Sequence, residues 1–427
     1  MKLPPGTNLS TLGNGVRVVT HHMPHLETVA LGVWVATGAR HERLGEQGIS
    51  HLLEHMAFKG TAKRTARAIA EEIEQVGGDL NAATSLEMTA YYARVLKGDE
   101  GLALGILADI LQASLFAPDD LTREKEVILQ EIAGIKDSPD ELAYDLIQDA
   151  AYPDQPVGRP IIGTPESVSA ITADNLRGFL AAHYRAPHLV ISAAGAVDHA
   201  TMTRHAEALF STLDVQPQEP EVPARYVGGV RHSTKSFEQS HLLAGFRSPS
   251  YRDPSFYAAQ VLSGVLGGGM SSRLFQEARE NRGLCYSIYS SAWGVGDTGM
   301  LAIHAATGGE MMAELIEVIR GELTGMALKA APEREVARAR AQLKAGLLMG
   351  LESCSVRAEQ MARQLLVAGR LIPQEEIVAK IDDVTPESVR ALAEQMLRRA
   401  PLSIAVVGAG TRSRRFAEAA GRLGEAA

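Results

Sequence analysis

Near the start of the chain, His51-Leu52-Leu53-Glu54-His55 has the residue types and the spacing for hydrolytic chemistry on a metal ion. A helix advances about 100° per residue, so His51, Glu54 and His55 share one arc. Leu52, Leu53, Met56 and Phe58 are left to face a core. Two imidazoles one turn apart can grip one ion, as paired histidines do in zinc sites. Glu54 lies between them, poorly placed to reach the ion but well placed to reach a water beside it. Zinc lowers the pKa of a bound water to about 7 and polarises a carbonyl. Glu54 would accept the water's proton and pass it to a leaving amine. The order His-x-x-Glu-His is the inverted form of a zinc peptidase signature. Ser50 reads as the helix N-cap and Gly60 as its stop.

A catalytic zinc takes three protein ligands and keeps one position open. The third is expected in LTREKEVILQEIAGIKDSPDELAYD (121–145). Glu124 and Glu131 are seven apart, two helical turns, and so lie on one face, with Val127, Ile128 and Leu129 marking the buried side between them. Glu131 is the expected ligand. Glu124 is the expected acceptor that orients a ligand histidine through its other ring nitrogen. A solvated acidic helix is the alternative reading of the same residues.

The elements that must hold these groups come in two copies. Residues 171–195 (ITADNLRGFLAAHYRAPHLVISAAG) echo 384–408 (VTPESVRALAEQMLRRAPLSIAVVG). Thr172 aligns with Thr385, Arg177 with Arg390 and Gly195 with Gly408, each pair 213 positions apart (385−172, 390−177, 408−195). In each copy a capping Thr opens an amphipathic helix, and a β-rich run ends in Gly. TVALGVWVATG (28–38) has a counterpart in SHLLAGFRS (240–248), LGILADILQ (104–112) in AELIEVIRGEL (313–323), and the helical stretch 121–150 in 333–370. These point to an α+β chain of two homologous domains, 1–210 and 231–427, each a mainly antiparallel sheet with helices packed on it. The proline-bearing segment 211–230 is the expected linker.

Composition narrows the class. The 427 residues are 45% hydrophobic and 22% charged, ordinary for a globular protein of more than one domain. A net charge of −9 argues against a nucleic-acid binder. No apolar run approaches the ~18 residues of a membrane span. The start, MKLPPGTNLSTLGNGVRVV, lacks the layout of a secretory signal, which suggests a cytoplasmic protein. Cys285 and Cys354 form no Cys-x-x-Cys pair and read as reduced thiols. Arg412, Arg414 and Arg415 read as a solvated helix face. Gly408-x-Gly410 leaves too little chain for a dinucleotide site, Gly267–Gly269 lacks the Lys of a P-loop, and no Gly-x-Ser-x-Gly elbow occurs.

On these residues the chain resembles the pitrilysin-type zinc peptidases, nearest the branch of the mitochondrial processing peptidase β subunit and its bacterial relatives. The resemblance runs over essentially the whole chain. It rests on HLLEHMAFKGT, GGDLNAATSLEMTAYYARVL and EKEVILQEI, and on the 75 residues between His55 and Glu131. It implies one zinc per chain on His51, His55 and Glu131, with Glu124 in support. GGDLNAATSLEMTAYY (77–92) reads as an alternating strand entered at Gly77-Gly78 and carrying Ala82 and Thr84. As a sheet edge it could take a peptide substrate by β-augmentation, and the resemblance puts Asn81 and Ala82 beside the cleaved bond. The resemblance also pairs Arg279 with Tyr286 as holders of substrate backbone and of the developing oxyanion. On the residues alone they would be a helix-surface Arg and a core Tyr. Glu141 and Asp145 match acids that bind an arginine before the cleavage site, implying basic, presequence-like peptides. In double-length relatives the Arg/Tyr pair comes from the other half of the molecule. This implies that the chain is half of a clamshell chamber and acts as a homodimer, a heterodimer being the alternative. A silent core subunit or a peptide-binding subunit of the same fold is the competing function.

Overall fold

The computed structural model describes residues 3–217, 221–399 and 401–424. One sheet contains β1 (Thr7–Thr11), β2 (Arg17–His22), β3 (Thr28–Val35), β4 (Asp79–Thr84), β5 (Thr89–Leu96) and β6 (Leu189–Gly195). The other contains β7 (Gly229–Ser248), β8 (Ser287–Gly294), β9 (Gly299–Thr307) and β10 (Ser403–Ala409). The helices include α1 (Ile49–Ala57), α2 (Glu100–Gln112), α3 (Pro118–Asp137), α4 (Pro139–Ala151), α5 (Phe256–Gly267), α6 (Glu333–Gly350) and α7 (Cys354–Ala368). No helix of the described residues is long and apolar enough to cross a membrane.

Two compact units result, and neither is one continuous stretch. The first runs through Ile132 and adds Pro160–Val222 and Leu348–Gln374. The second takes Ala133–Arg159, Pro223–Leu347 and the chain from Glu375 on. The expected division at 210 and 231 is corrected by an exchange of helices. α4 follows α3 but packs on β7 and β10, while α7 follows α6 but packs on β6, β3 and β2. The cause lies at the breaks. Pro139 cannot extend α3 and instead starts α4, and Ser353 caps α7 through the Val356 N–H. Each new helix then buries its apolar stripe on the sheet it can reach: Ala143, Ile147 and Ala150 from α4, Ala358, Met361, Ala362 and Leu365 from α7. Residues 121–150 and 333–370 are therefore two helices each. The expected linker 211–230 includes 218–220, outside the described residues, and its described part is irregular up to β7.

The first sheet has the order β1-β2-β6-β3-β5-β4. Only β2 and β6 run parallel. Alternation gives it two buried faces. Val29, Leu31, Val33, Tyr91 and Ala93 join the core that holds Leu52, Leu53 and Met56 of α1. Val19, Trp34, Val190 and Ala194 face the other way, against Ala358, Met361 and Leu365 of α7.

In the second sheet β10 lies between the two halves of β7. Its Ile404–Val406 pairs in step with Val230–His232 and in the reverse direction with Leu242–Ala244. β9 and then β8 follow. First half of β7, β10, second half of β7, β9, β8 repeats β2, β6, β3, β5, β4. The duplication reaches single residues. Gly195 ends β6 and Gly408 is the last residue but one of β10, at φ +121° and +96°, and a Cβ on either would sit 2.2 Å from a neighbouring carbonyl oxygen, that of Thr28 or Gln239. Only glycine fits such a position. Thr172 and Thr385 each accept a backbone N–H three residues on.

Candidate metal centre

The start of α1 is held harder than an ordinary helix end. Gly48 is its N-cap in the left-handed region, φ +88°, where a Cβ would meet the Ile162 oxygen at 2.5 Å. Glu42, only 3% exposed, accepts the N–H groups of Gly48 and Ser50, both at 2.9 Å. A carboxylate there satisfies two orphan donors and complements the helix dipole, each charged bond contributing about 1.5–3 kcal/mol. The expected cap, Ser50, is instead buried inside the first turn, and its hydroxyl has no partner among the described residues. Leu52, Leu53 and Met56 anchor the other face. His51, Glu54 and His55 stay half-buried on the remaining arc.

α3 crosses this arc. Leu121, Glu124, Ile128 and Ile132 form its buried stripe, so Val127, expected inside, lies outside at 39% exposure. The 3.6-residue period explains the difference: position 128 continues the row 121, 124, 132, and 127 falls beside it. Glu124 and Glu131 share a face but differ in depth, their side chains 10% and 42% exposed. Glu124 takes His55 Nδ1 at 3.1 Å with one oxygen and Lys59 Nζ at 2.7 Å with the other. A carboxylate on Nδ1 keeps the proton there and leaves the Nε2 lone pair free.

Those Nε2 atoms converge on Glu131. His51 Nε2 and His55 Nε2 each lie 3.9 Å from a Glu131 oxygen, and the ligand atoms of all three fall within 4.8 Å of one another. Such separations are too long for hydrogen bonds. They are near the ~3.3 Å expected of donors about 2.05 Å from one tetrahedral ion. Burial, helped by the neighbouring His55 and opposed by Glu131, lowers the pKa of His51 to about 4, so its ring is neutral and can donate a lone pair. Its Nδ1 is buried with no partner among the described residues. Two neutral imidazoles and a carboxylate fit zinc well.

Glu54 stands beside the donors without joining them. The Thr84 hydroxyl, at the end of β4, donates to its Oε2 at 2.5 Å. Two buried phenols, Tyr91 and Tyr184, lie close enough to feel its charge and bond each other at 3.0 Å. Burial is the main reason both stay protonated, raising Tyr184 to about 12 and Tyr91 well above its usual value.

β4 is the outer strand of its sheet, as expected. Asn81 is exposed and Ala82 buried, and the Ala82 N–H donates to Asn81 Oδ1 at 2.8 Å, pointing away from β5. Gly78 has a packing reason to be glycine, since a Cβ would meet Val95 at 2.9 Å and the Arg94 oxygen at 3.0 Å.

Arg279, Tyr286, Glu141 and Asp145 belong to the second unit. Arg279 rides on a π-helix, Phe275–Asn281, a rare form enriched at functional sites. Its guanidinium lies 4.6 Å from the Phe275 ring centre and 5.5 Å from that of Tyr286. Tyr286 is 75% exposed, which a core tyrosine would not be. Glu141 and Asp145 lie on α4, where burial, reinforced by Glu141, raises Asp145 to about 6. Cys285 is buried and Cys354 half-buried, both unpaired. Arg414 and Arg415 lie exposed on the helix Ser413–Ala420, with Arg412 exposed just before it.

Glu42, Lys59 and Tyr184 went unnoticed in the sequence. Lys59 sits one turn after His55, a spacing that could have flagged it. Glu42 and Tyr184 act from the ends of a 3-10 turn and a helix, positions that only the fold brings to the site.

A model of the insulinase family (peptidase family M16) matches residues 17–165, and one of the peptidase M16 inactive domain matches 170–343. A Rickettsia felis protein called an uncharacterized zinc protease is 40% identical over 402 residues, 94% of this chain and 97% of its own. The uncharacterized zinc protease YmxG of Bacillus subtilis is 37% identical over 388 residues, 90% of this chain and 94% of its own. In fold, the chain matches the peptidase M16 inactive domain from Pseudomonas fluorescens with a TM-score of 0.87 at 22% identity, covering 94% of this chain and 97% of that one. A protease from Helicobacter pylori matches with a TM-score of 0.86 at 20% identity, covering 95% and 100%.

Proposed function

The chain belongs to the insulinase family (peptidase family M16), a family of zinc metallopeptidases, and from that premise we propose that it is an endopeptidase that hydrolyses extended peptides at the His51, His55 and Glu131 centre. One observation carries the reading: three donors converge while a fourth group, Glu54, is held beside them by Thr84 and kept off the donor set. Zinc bound there supplies Lewis acidity, polarising the scissile carbonyl and acidifying the attacking water. Glu54 takes the proton of that water and delivers it to the leaving amine. Thr84 fixes the carboxylate's rotamer, and Glu124 fixes that of His55. The β4 edge, with Gly78, Asn81, Ala82 and Thr84, binds substrate backbone and brings the scissile bond past Glu54.

Arg279 and Tyr286 supply cationic and phenolic donors for the substrate backbone and the oxyanion. We assign them to the site of a second protomer, so that a homodimer encloses two such sites in a chamber. Their exposure supports this role. Glu141 and Asp145 favour basic peptides. Two unpaired thiols support a cytoplasmic setting. A silent core or peptide-binding subunit is disfavoured because the donor set, Glu54 and Glu124 are all present.

The test is Glu54→Gln on a quenched peptide, with zinc measured by mass spectrometry. One zinc per chain should remain while hydrolysis falls about 10²–10⁴-fold. Full activity in Glu54→Gln would sink the mechanism. Mixing inactive Glu54→Gln with inactive Arg279→Ala should restore activity, and no recovery after confirmed subunit exchange would rule out the shared site.

A further inference from the structure

We infer that the first unit holds a side-chain pocket on the sheet face opposite α1, and that it takes one large apolar side chain, aromatic or long aliphatic, from a peptide paired to β4. The inference rests on the reading of β4 as the substrate edge. The pocket, about 310 Å³, is walled by Trp34 and Tyr92 from the sheet, Met88 from the turn between β4 and β5 and Val356 from α7, over a floor that includes Ala83 and Ala90.

Small residues make the space. Ala90 pairs with Trp34 on one side and with Ala83 on the other, so the two outer strands lack bulk beside the Trp34 ring. Gly32 stands opposite Tyr92, and a Cβ on it would come 2.9 Å from the Trp34 ring. α7 covers β6, β3 and β2, and the pocket is the ground left between it and the outer strands.

Thr84 ties this pocket to the centre. Its hydroxyl holds Glu54 and it also lines the pocket. Successive side chains of a strand added to β4 point to opposite faces, about 3.3 Å apart along the chain. When one substrate residue points toward α1 and the metal donors, its neighbours point to the other face, and one of them enters the pocket. The edge therefore reads sequence at every second position, although backbone pairing itself is indifferent to sequence. Trp34, Met88, Tyr92 and Val356 are apolar or aromatic walls. Glu359 is the one charged lining residue and disfavours an acidic occupant.

Affinity measured by fluorescence anisotropy tests this, using the zinc-loaded full chain carrying Glu54→Gln so that peptides bind without turnover. Labelled peptides differ by Phe, Ala or Asp at successive positions. Phe should bind at least tenfold more tightly than Ala at one position and not at the adjoining ones, and Asp no better than Ala. Adding Ala90→Phe, which fills the floor, should bring the Phe-to-Ala ratio below two. Val356→Glu, on the exposed face of α7, should lower the same ratio and serves if Ala90→Phe fails to fold. No Phe preference at any position, or one that neither variant changes, would overturn the pocket. So would Ala90→Phe splitting a dimer on sizing, which would make a second copy the occupant. Hydrolysis by the unmutated chain is scored separately. A chain that binds Phe peptides through this pocket yet cleaves none keeps the pocket and loses the peptidase reading.

Discussion

Helices α1 and α5 follow the same strand of the same repeated topology, and they use their surfaces differently. α5 is buried on nearly all sides, with Ala258, Ala259, Val261, Leu262, Val265 and Leu266 in the core. Its contact with α6 is apolar and close, since a Cβ on Gly264 would lie 3.0 Å from that of Ala339. α1 buries only Ile49, Leu52, Leu53, Met56 and its small residues. Its contact with α3 runs through His55 and Glu124, and through donors 3.9 Å apart. One duplicated helix pair is thus closed by methyl groups and the other is kept open by polar groups. The topology accepts both, so the chemistry belongs to the residues placed on it. The open pair carries a cost: half-buried imidazoles and carboxylates must find partners, and a metal ion is one that satisfies three at once.

The comparison breaks most sharply at a donor. His51→Ala should reduce zinc from one per chain to a small fraction, and hydrolysis about a thousandfold or more, the scale of the several kcal/mol that a metal supplies. Retention of full zinc would show that His51 is not a donor. Next comes the group that holds the pair apart. Glu124→Gln should weaken zinc about 10–100-fold in a chelator competition, with secondary structure by circular dichroism intact. Unchanged affinity would make Glu124 only a partner for Lys59. The smallest effect is expected in the closed pair. Gly264→Ala should lower the free energy of unfolding by about 1–3 kcal/mol in urea while zinc affinity stays within about twofold. A loss of zinc in Gly264→Ala would mean that the two pairs are not independent.

Much of the centre was legible because helical periodicity is local. The spacings 51–54–55 and 124–131 require nothing beyond 3.6 residues per turn, and they put those side chains where they are found. The duplication was legible because capping threonines and strand-ending glycines answer to local backbone geometry. Finer points failed where two local signals competed. Ser50 is a good cap residue, yet Gly48 and the more distant Glu42 close the helix. Val127 is apolar, yet it falls one position off the buried row. The exchange of α4 and α7 left no local mark, because an amphipathic face records that a helix is buried and not against which sheet. Tyr286 shows the same limit, since its residue type suggests a core and the fold leaves it exposed.

The hydrogen bond from the Ala82 N–H to Asn81 Oδ1 has a further consequence, in solubility. An open strand edge able to accept a peptide can also accept another edge, and that is how folded proteins begin to aggregate. Asn81 occupies a donor that a stray strand would use, and Asp79, with its ion-paired neighbour Arg94, puts charge at the head of the same edge. A short random encounter meets a blunted edge. On the proposed reading of β4 as the substrate edge, a peptide long enough to pair along several of its residues would displace the Asn81 amide and replace its bond. On that reading, the residue that blunts the edge against self-association would also set how much of a partner it requires.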